Sequence, residues 1–574
     1  MANLITEVNS ILGIEIGTIN TRAVLFDVVE ESYQFIAAGT APTTCGAPHF
    51  DASHGIIEAI QGLQEITGRF MLDLNQKLII PSHGGSEGVD KLLLTLSYGP
   101  VEKVATFGLL HDISLESANN LAKTAPVRVV ESFGINDRRP YQTRMDALIN
   151  AKPEILIFAG GSDRGASRSI YQMTKWIASS LELIRAEERP KFLYCGNRSM
   201  ARKIKELMEK VTTVQITNNI RPEIENEDLS QAALDLNQMI VKERIEKING
   251  LGRVAALCSD KPMLTGVAIQ RVTRFLGKQY DPARGVLSVD LGSSHTTVAF
   301  ANSRDQKLLV LPFGTGFGLE NALRMSKIGD IEKWLPEVLA ESQTAAYLWQ
   351  KTLFPASLPV SHAELNIELA LAQHLMCMAM HELERNLPLR SRSFGPVLVS
   401  GSILAHTASP WQTLMVLLNG IQPLGITPLV MDKHGILSLL GAAGRTTPLM
   451  PVHVLESSAF INLATVVTIQ SRQKPGTAIL KARLQSRSGE NLEVTLDQGS
   501  LIRLPLAFGE TGLLFIEPLK KIFIADVEIS KEPVKVKGGI CGLILDARGR
   551  PLTLPEDAEA RRNQLWKWMD QVSG

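Results

Sequence analysis

Gly13-Ile14-Glu15-Ile16-Gly17-Thr18-Ile19-Asn20-Thr21 stands near the start of the chain, between apolar Ile11-Leu12 and the apolar and β-branched residues that lead to Phe26. It reads as strand, tight turn, strand. A carboxylate ends the first strand, and a glycine two residues later permits a turn whose backbone N–H groups can cradle phosphate oxygens. Thr18, Asn20 and Thr21 add hydroxyl and amide groups, and Glu15 stands where a carboxylate can hold Mg²⁺ beside those phosphates. Taken alone the stretch is equally an ordinary β-hairpin. The order returns at Val289-Asp290-Leu291-Gly292-Ser293-Ser294-His295-Thr296-Thr297-Val298, within a strand-turn-strand from Gly285 to Ala301. Two copies imply an internal repeat and two related halves. The second copy nominates Gly292, Ser293, Ser294 and Thr296 for phosphate and Asp290 for Mg²⁺.

Two further segments belong with these hairpins. Leu311-Pro312-Phe313-Gly314-Thr315-Gly316-Phe317-Gly318 is a glycine-rich turn soon after the second copy, and Gly314 and Gly316 are candidates to line the same cleft. Val397-Leu398-Val399-Ser400-Gly401-Ser402 is a strand ending in small residues, where Gly401 and Ser402 would let a flat base approach the backbone. His295 could reach phosphate or move a proton, but an outward-facing turn histidine is the commoner case. His49-Phe50-Asp51-Ala52-Ser53-His54 matches no common metal spacing and reads as a polar loop.

Between the hairpins, short apolar strands are expected at Lys77–Ile80, Lys91–Tyr98, Val127–Val130, Ile155–Ala159, Phe192–Cys195 and Val214–Ile216. Helical segments such as Ser114–Lys123 and Ser167–Ile184 separate them, the pattern of a parallel sheet covered by helices. After the second hairpin come a long helix, Ser361–Asn386, and a final helix-strand unit through Leu429–Asp432 and Ile436–Ala443. From about Leu449 the chain turns to β-branched and charged alternation, including an expected strand Lys521–Ile529. Its 574 residues exceed the ~250 to 300 of a single core. The expected division is 1–280, a first lobe with an inserted α/β subdomain; 281–448, a second lobe; and 449–574, a β-rich C-terminal domain.

Lys+Arg and Asp+Glu are both 59, so no long-range field of one sign draws the chain toward nucleic acid or anionic lipid. The five cysteines form no CxxC or Cys/His ligand spacing. No secretory signal is read at the N-terminus, and no apolar run reaches the ~18 residues of a membrane span. A reducing cytoplasm is the expected setting.

The order of first phosphate motif, inserted domain, second phosphate motif and adenosine motif resembles the actin/Hsp70/sugar-kinase superfamily. More narrowly, Phe158-Ala159-Gly160-Gly161-Ser162-Asp163-Arg164-Gly165, Tyr194-Cys195-Gly196-Asn197, the second hairpin and Asp432–Gly444 resemble the L-protein (MutL-like) family encoded beside adenosylcobalamin-dependent glutamate mutase. The likeness covers roughly Ile11 to Gly444. It implies a duplicated ribonuclease-H-like, two-lobed fold binding ATP/ADP with Mg²⁺, and an ATP-dependent reactivating or chaperone-like role toward an adenosylcobalamin-dependent mutase. No Asp-x-His-x-x-Gly cobalamin-ligand pattern is present, so cobalamin is expected on the partner. Two departures bear on turnover. Glu15 replaces the superfamily's aspartate and adds a methylene, and a displacement of ~1 Å can cost a hundredfold in rate. Thr297 replaces a second aspartate, so no catalytic base is assigned. A small-molecule kinase and a scaffold with nucleotide binding lost are the rival readings.

Overall fold

The computed structural model describes residues 10–573 other than 85, 164, 388–391, 445, 488, 490 and 526–531. The chain divides into two compact units, one of Met1–Thr43, Ile56–Leu93 and Ala268–Gly574, the other of Thr44–Gly55 and Leu94–Val267.

In the first unit, β1 (Ile11–Ile16), β2 (Asn20–Val29) and β3 (Ser32–Pro42) form an antiparallel meander, and β4 (Lys91–Leu96) begins on the far side of β1. All six residues of β1 are buried, the pattern of a central strand covered on both faces. The expected strand Lys77–Ile80 is instead irregular, following a turn at Leu74-Asn75, with an isolated bridge from Leu78 to Leu72. The Asp73 carboxylate accepts the N–H groups of Asn75 and Lys77 at 2.8 Å each, and so takes for a turn the backbone that a ladder would need.

The second unit holds a parallel sheet of β5 (Glu102–Phe107), β6 (Val127–Phe133), β7 (Ile155–Phe158), β8 (Lys191–Tyr194) and β9 (Val214–Ile216), in the order β6-β5-β7-β8-β9. Its core packs Phe107, Phe133, Phe158, Phe192 and Trp176 together. β10 (Met263–Leu264) pairs in parallel with Thr95 and Leu96. The two strand ends most distinctive in the sequence meet here: a Cβ on Gly196 would lie 2.6 Å from the Gly160 carbonyl oxygen. The Asn197 side chain donates to Gly165 O at 2.8 Å and accepts from Ser199 N at 2.8 Å. Those residues let two loops close on each other.

The repeat appears in β11 (Val286–Leu291), β12 (Thr296–Ala301) and β13 (Gln306–Leu311), an antiparallel meander joined in parallel by β14 (Val397–Ser400) and then β15 (Gly425–Met431). Both meanders therefore run third, second, first, fourth across the sheet. A helix from His362 to Asn386, capped by Ser361, lays Ile367, Leu371, Leu375 and Leu383 into the second core.

The C-terminal part begins as an extension of this sheet. β16 (Ile461–Thr468) pairs antiparallel with β15. The short β17 (Gln470–Ser471), β18 (Ala478–Ser486), β19 (Asn491–Asp497), β20 (Leu501–Leu504), β21 (Thr511–Pro518), β22 (Ile522–Phe523), β23 (Val534–Lys537) and β24 (Leu543–Asp546) follow. β24 and β20 continue the large sheet beyond β16, whereas β19-β18-β21-β23 form a sheet of their own. Of the expected strand Lys521–Ile529, residues 526–529 lie outside the described residues, and 522–523 are strand. The segment Asp546-Ala547-Arg548-Gly549-Arg550 buries one carboxylate between two guanidiniums: Asp546 Oδ2 accepts from Arg548 at 2.9 Å and from Arg550 at 2.6 Å.

Candidate functional site

The two hairpins fold by the same local logic. Gly17 N donates to Asn20 O at 2.9 Å and Gly292 N to His295 O at 3.1 Å. A Cβ at Gly17 would stand 2.6 Å from Asn20 O, and one at Gly292 2.8 Å from His295 O, so neither turn admits a side chain there. The equivalent threonines are spent inside. Thr21 is buried with its hydroxyl 3.0 Å from that of Thr43, and buried Thr296 donates to Phe313 O at 2.9 Å. Thr43 also donates to Gly17 O at 2.8 Å and tightens the first turn from behind. Of the candidate phosphate residues, Thr21 and Thr296 thus brace the turns, while Gly17, Thr18, Asn20, Gly292, Ser293 and Ser294 form them.

Across the β1–β2 ladder Glu15 faces Arg22, and in the second copy Asp290 faces Thr297. Arg22 Nη1 donates to Glu15 Oε2 at 2.6 Å, and Nη2 reaches Ser402 Oγ at 3.4 Å. Gly435, at φ 67°, closes over the same guanidinium: a Cβ there would lie 2.5 Å from Nη1. Arg22 therefore joins the first hairpin to the Gly401-Ser402 turn. That turn lies against β11, where a Cβ at Gly401, φ 127°, would stand 2.5 Å from Leu291 O.

Asp290 Oδ1 accepts from Ser400 Oγ at 2.6 Å. Asp432, just past β15, accepts the N–H groups of Ile436 at 3.1 Å and Leu437 at 2.8 Å, capping the helix Leu437–Ala443. Burial pushes Glu15 above the usual carboxylate range; Arg22 opposes the rise, and Asp290 and Asp432 add to it. Burial likewise raises Asp290 against the pull of Ser400 and Arg22, and raises Asp432 against its two helix N–H groups. For Arg22 burial works against the charge, and Glu15, aided by Asp432 and Asp290, more than restores it. Three carboxylates thus share one guanidinium, a field that favours a hard divalent cation.

The Glu15 oxygen facing Arg22 is engaged, and both oxygens of Asp432 are taken by the helix. Asp290 gives one oxygen to Ser400, and its Oδ2 faces the Gly292 turn, 3.9 Å from where a Cβ on that glycine would be. Among the described residues no three His, Cys, Asp or Glu side chains converge as a complete ligand set. The site fits an ion that keeps waters and takes one or two carboxylates, which is how Mg²⁺ usually binds beside phosphates.

The glycine-rich turn clamps the second hairpin. Thr315 N donates to Gly292 O at 3.0 Å, and Gly316 N and Gly318 N both donate to Ser293 O at 2.9 Å. Cβ atoms at Gly314 and Gly318 would stand 2.5 Å and 2.1 Å from hairpin carbonyl oxygens. The residues that sequence reasoning missed are Arg22, Ser400 and the capping role of Asp432. Strand register was the available signal for the first, since a four-residue turn after Glu15-Ile16 sets Arg22 opposite Glu15.

A family model described as MutL protein matches residues 11–459. A search of the curated proteins finds no match. Among solved structures the chain is similar to acetone carboxylase in a nucleotide-free structure, at 12% identity and TM-score 0.35, covering 85% of this chain and 81% of that one. It is similar to xylulose kinase from Bifidobacterium adolescentis at 13% identity and TM-score 0.28, covering 78% and 94%. With a glycerol dehydratase reactivase the values are 12% and 0.27, covering 71% and 94%. Among the described residues no helix is long and apolar enough to cross a membrane.

Proposed function

Since this chain belongs to the MutL protein family, we propose that it is an ATP-driven reactivating factor for an adenosylcobalamin-dependent mutase. The observation that carries the reading is the pairing of two glycine-turn hairpins in one register, with Glu15, Arg22, Asp290 and Asp432 gathered between them. In this reading the backbone N–H groups around Gly17-Thr18-Ile19-Asn20 and Gly292-Ser293-Ser294 hold the phosphates, and Arg22 adds a guanidinium donor. Gly401 and Ser402 receive the adenosine side, with Gly314 and Gly316 backing the second hairpin. Asp290 and Glu15 are the carboxylates that would hold Mg²⁺, directly or through water, and the metal would supply charge neutralisation to the polyphosphate.

A nucleotide drives a conformational change only through different affinities for the two forms. Arg22 is placed to supply that difference, because it touches both the first hairpin and the Ser402 turn. Hydrolysis in this reading is slow: the Asp290-equivalent position on the first hairpin is the longer Glu15, and Thr297 offers no carboxylate to attacking water. The cytoplasm is the proposed location.

Isothermal calorimetry with ATP, ADP and Mg²⁺, followed by phosphate release with and without the mutase, tests the reading. Micromolar or tighter Mg²⁺-dependent ATP binding and mutase-stimulated release are expected. A protein that binds neither nucleotide would overturn it.

A further inference from the structure

The turn that clamps the second hairpin also touches an unusual stretch of surface. Thr352-Leu353-Phe354-Pro355-Ala356-Ser357-Leu358-Pro359-Val360-Ser361 carries no charged residue. Leu353 is 75% exposed, Leu358 80% and Val360 89%. Phe354, and Phe317 of the glycine-rich turn, are exposed as well. Five bulky apolar residues kept at the surface incur a cost in hydration unless the surface has a use.

The stretch is held at both ends, since Val360 N donates to Glu364 Oε2 at 2.7 Å and Ser361 caps the helix that follows. Buried Lys351 donates to Glu368 Oε1 at 2.6 Å and also to Ser357 O, while Tyr347 OH donates to the same Glu368 oxygen at 2.7 Å. Ser357 N donates back to Phe354 O at 2.9 Å. The middle of the segment meets the hairpin through Gly316. A Cβ on that glycine would lie 2.4 Å from Ser293 Oγ, 3.0 Å from Pro355 Cβ and 3.1 Å from Pro355 O. Gly316 is therefore wedged between the Ser293 hydroxyl and the Pro355 ring, with room for no side chain.

Next to this wedge, Phe317 N donates to Ser293 Oγ at 3.2 Å, a long bond. A serine hydroxyl has one proton to give and two lone pairs to receive with. A phosphate oxygen accepting a hydrogen bond from the Ser293 hydroxyl leaves the Phe317 bond in place and strengthens it, because donation and acceptance through one oxygen polarise each other. Phosphate at Ser293 would thus draw Gly316-Phe317 toward the hairpin and shift the support under Pro355.

We infer that nucleotide occupancy at the second hairpin is read out at the exposed apolar segment Leu353–Val360, through the Ser293–Gly316–Pro355 wedge. The inference rests on the ATP reading above, and deepens it by naming where the bound state becomes visible at the surface. Its elements move no covalent bond: the change is a tightening of one hydrogen bond and a shift of a packed proline.

Hydrogen exchange on the full-length protein tests it, following peptides that cover 314–318 and 352–361 without nucleotide, with Mg²⁺ and ADP, and with Mg²⁺ and ATP. Exchange in both peptides is expected to slow by about threefold or more in ATP. Pro355→Gly removes the ring that Gly316 presses on, so it should keep ATP affinity within about twofold while losing the nucleotide response at 352–361. ATP binding seen by calorimetry with unchanged exchange at 352–361 would overturn the relay and leave the ATP reading intact, and an undiminished response in Pro355→Gly would do the same. Absence of any nucleotide binding would remove both.

Discussion

Glu15 and Arg22 face each other across the first hairpin with Nη1 2.6 Å from Oε2, and at the matching position of the second hairpin the partner of Asp290 is uncharged Thr297. The duplicated turns are thus electrically unlike: one carries its own counter-charge, the other leaves its carboxylate to outside cations. Arg22→Gln keeps length and one amide donor but removes the charge. A charge-assisted hydrogen bond contributes ~1.5–3 kcal/mol, so ATP affinity measured by calorimetry should fall by roughly ten- to a hundredfold.

Asp290→Asn retains an acceptor for Ser400 and removes the carboxylate, so the gain in ATP affinity on adding Mg²⁺ should vanish while metal-free binding persists. The wild type should also show a pH dependence. Burial raises the Asp290 pKa, so the proton returns at a higher pH than it would on a free aspartate. Mg²⁺-dependent binding should weaken on acidification from above the usual aspartate range, and calorimetry across pH should find that slope flattened in Asp290→Asn.

His374 gives the sharpest pH prediction for stability. Burial first, then the Lys333 charge, depress its pKa from 6.5 to about 4, and its Nε2 lies 2.7 Å from Ser326 Oγ. The unfolded chain therefore takes up a proton that the folded chain refuses between those values. Its contribution is present above pH 6.5 and is lost as pH falls toward about 4, by about 3 kcal/mol at most. Urea unfolding of His374→Gln should show a shallower loss over that interval.

Asp546 lies fully buried with Arg548 and Arg550 on it. Burial works to raise its pKa, yet the two guanidiniums overcome that and hold it far below the carboxylate range. Asp546→Asn leaves both cations without their counter-ion, and breaking a buried pair costs ~3–5 kcal/mol. The urea midpoint should drop accordingly, and adding Arg548→Met to the variant should recover part of the loss.

Much of the architecture was legible because it is local. Gly17 and Gly292 each follow a carboxylate by two residues inside apolar runs, and a turn of that kind needs no distant partner to form. The repeat needed only two such stretches to be set side by side. The Lys77–Ile80 strand was misread because Asp73, four residues ahead of Lys77, offers its side chain to the backbone that a ladder would have used. Composition marks Thr21 and Thr296 as polar residues beside the turns, and the strand alternation that carries their hydroxyls inward to Thr43 and Phe313 O is set by the fold.

By itself the sequence determined the two hairpins, their order, the glycine positions and the charge-free stretch before Ser361, since these follow from backbone sterics and residue type within a few positions. Only the tertiary structure decided that Arg22 reaches Ser402, 380 residues away, and that Ser400 binds Asp290. Electrostatic and hydrogen-bond partners of this kind depend on distances set by packing, where a shift of an ångström makes or breaks the contact.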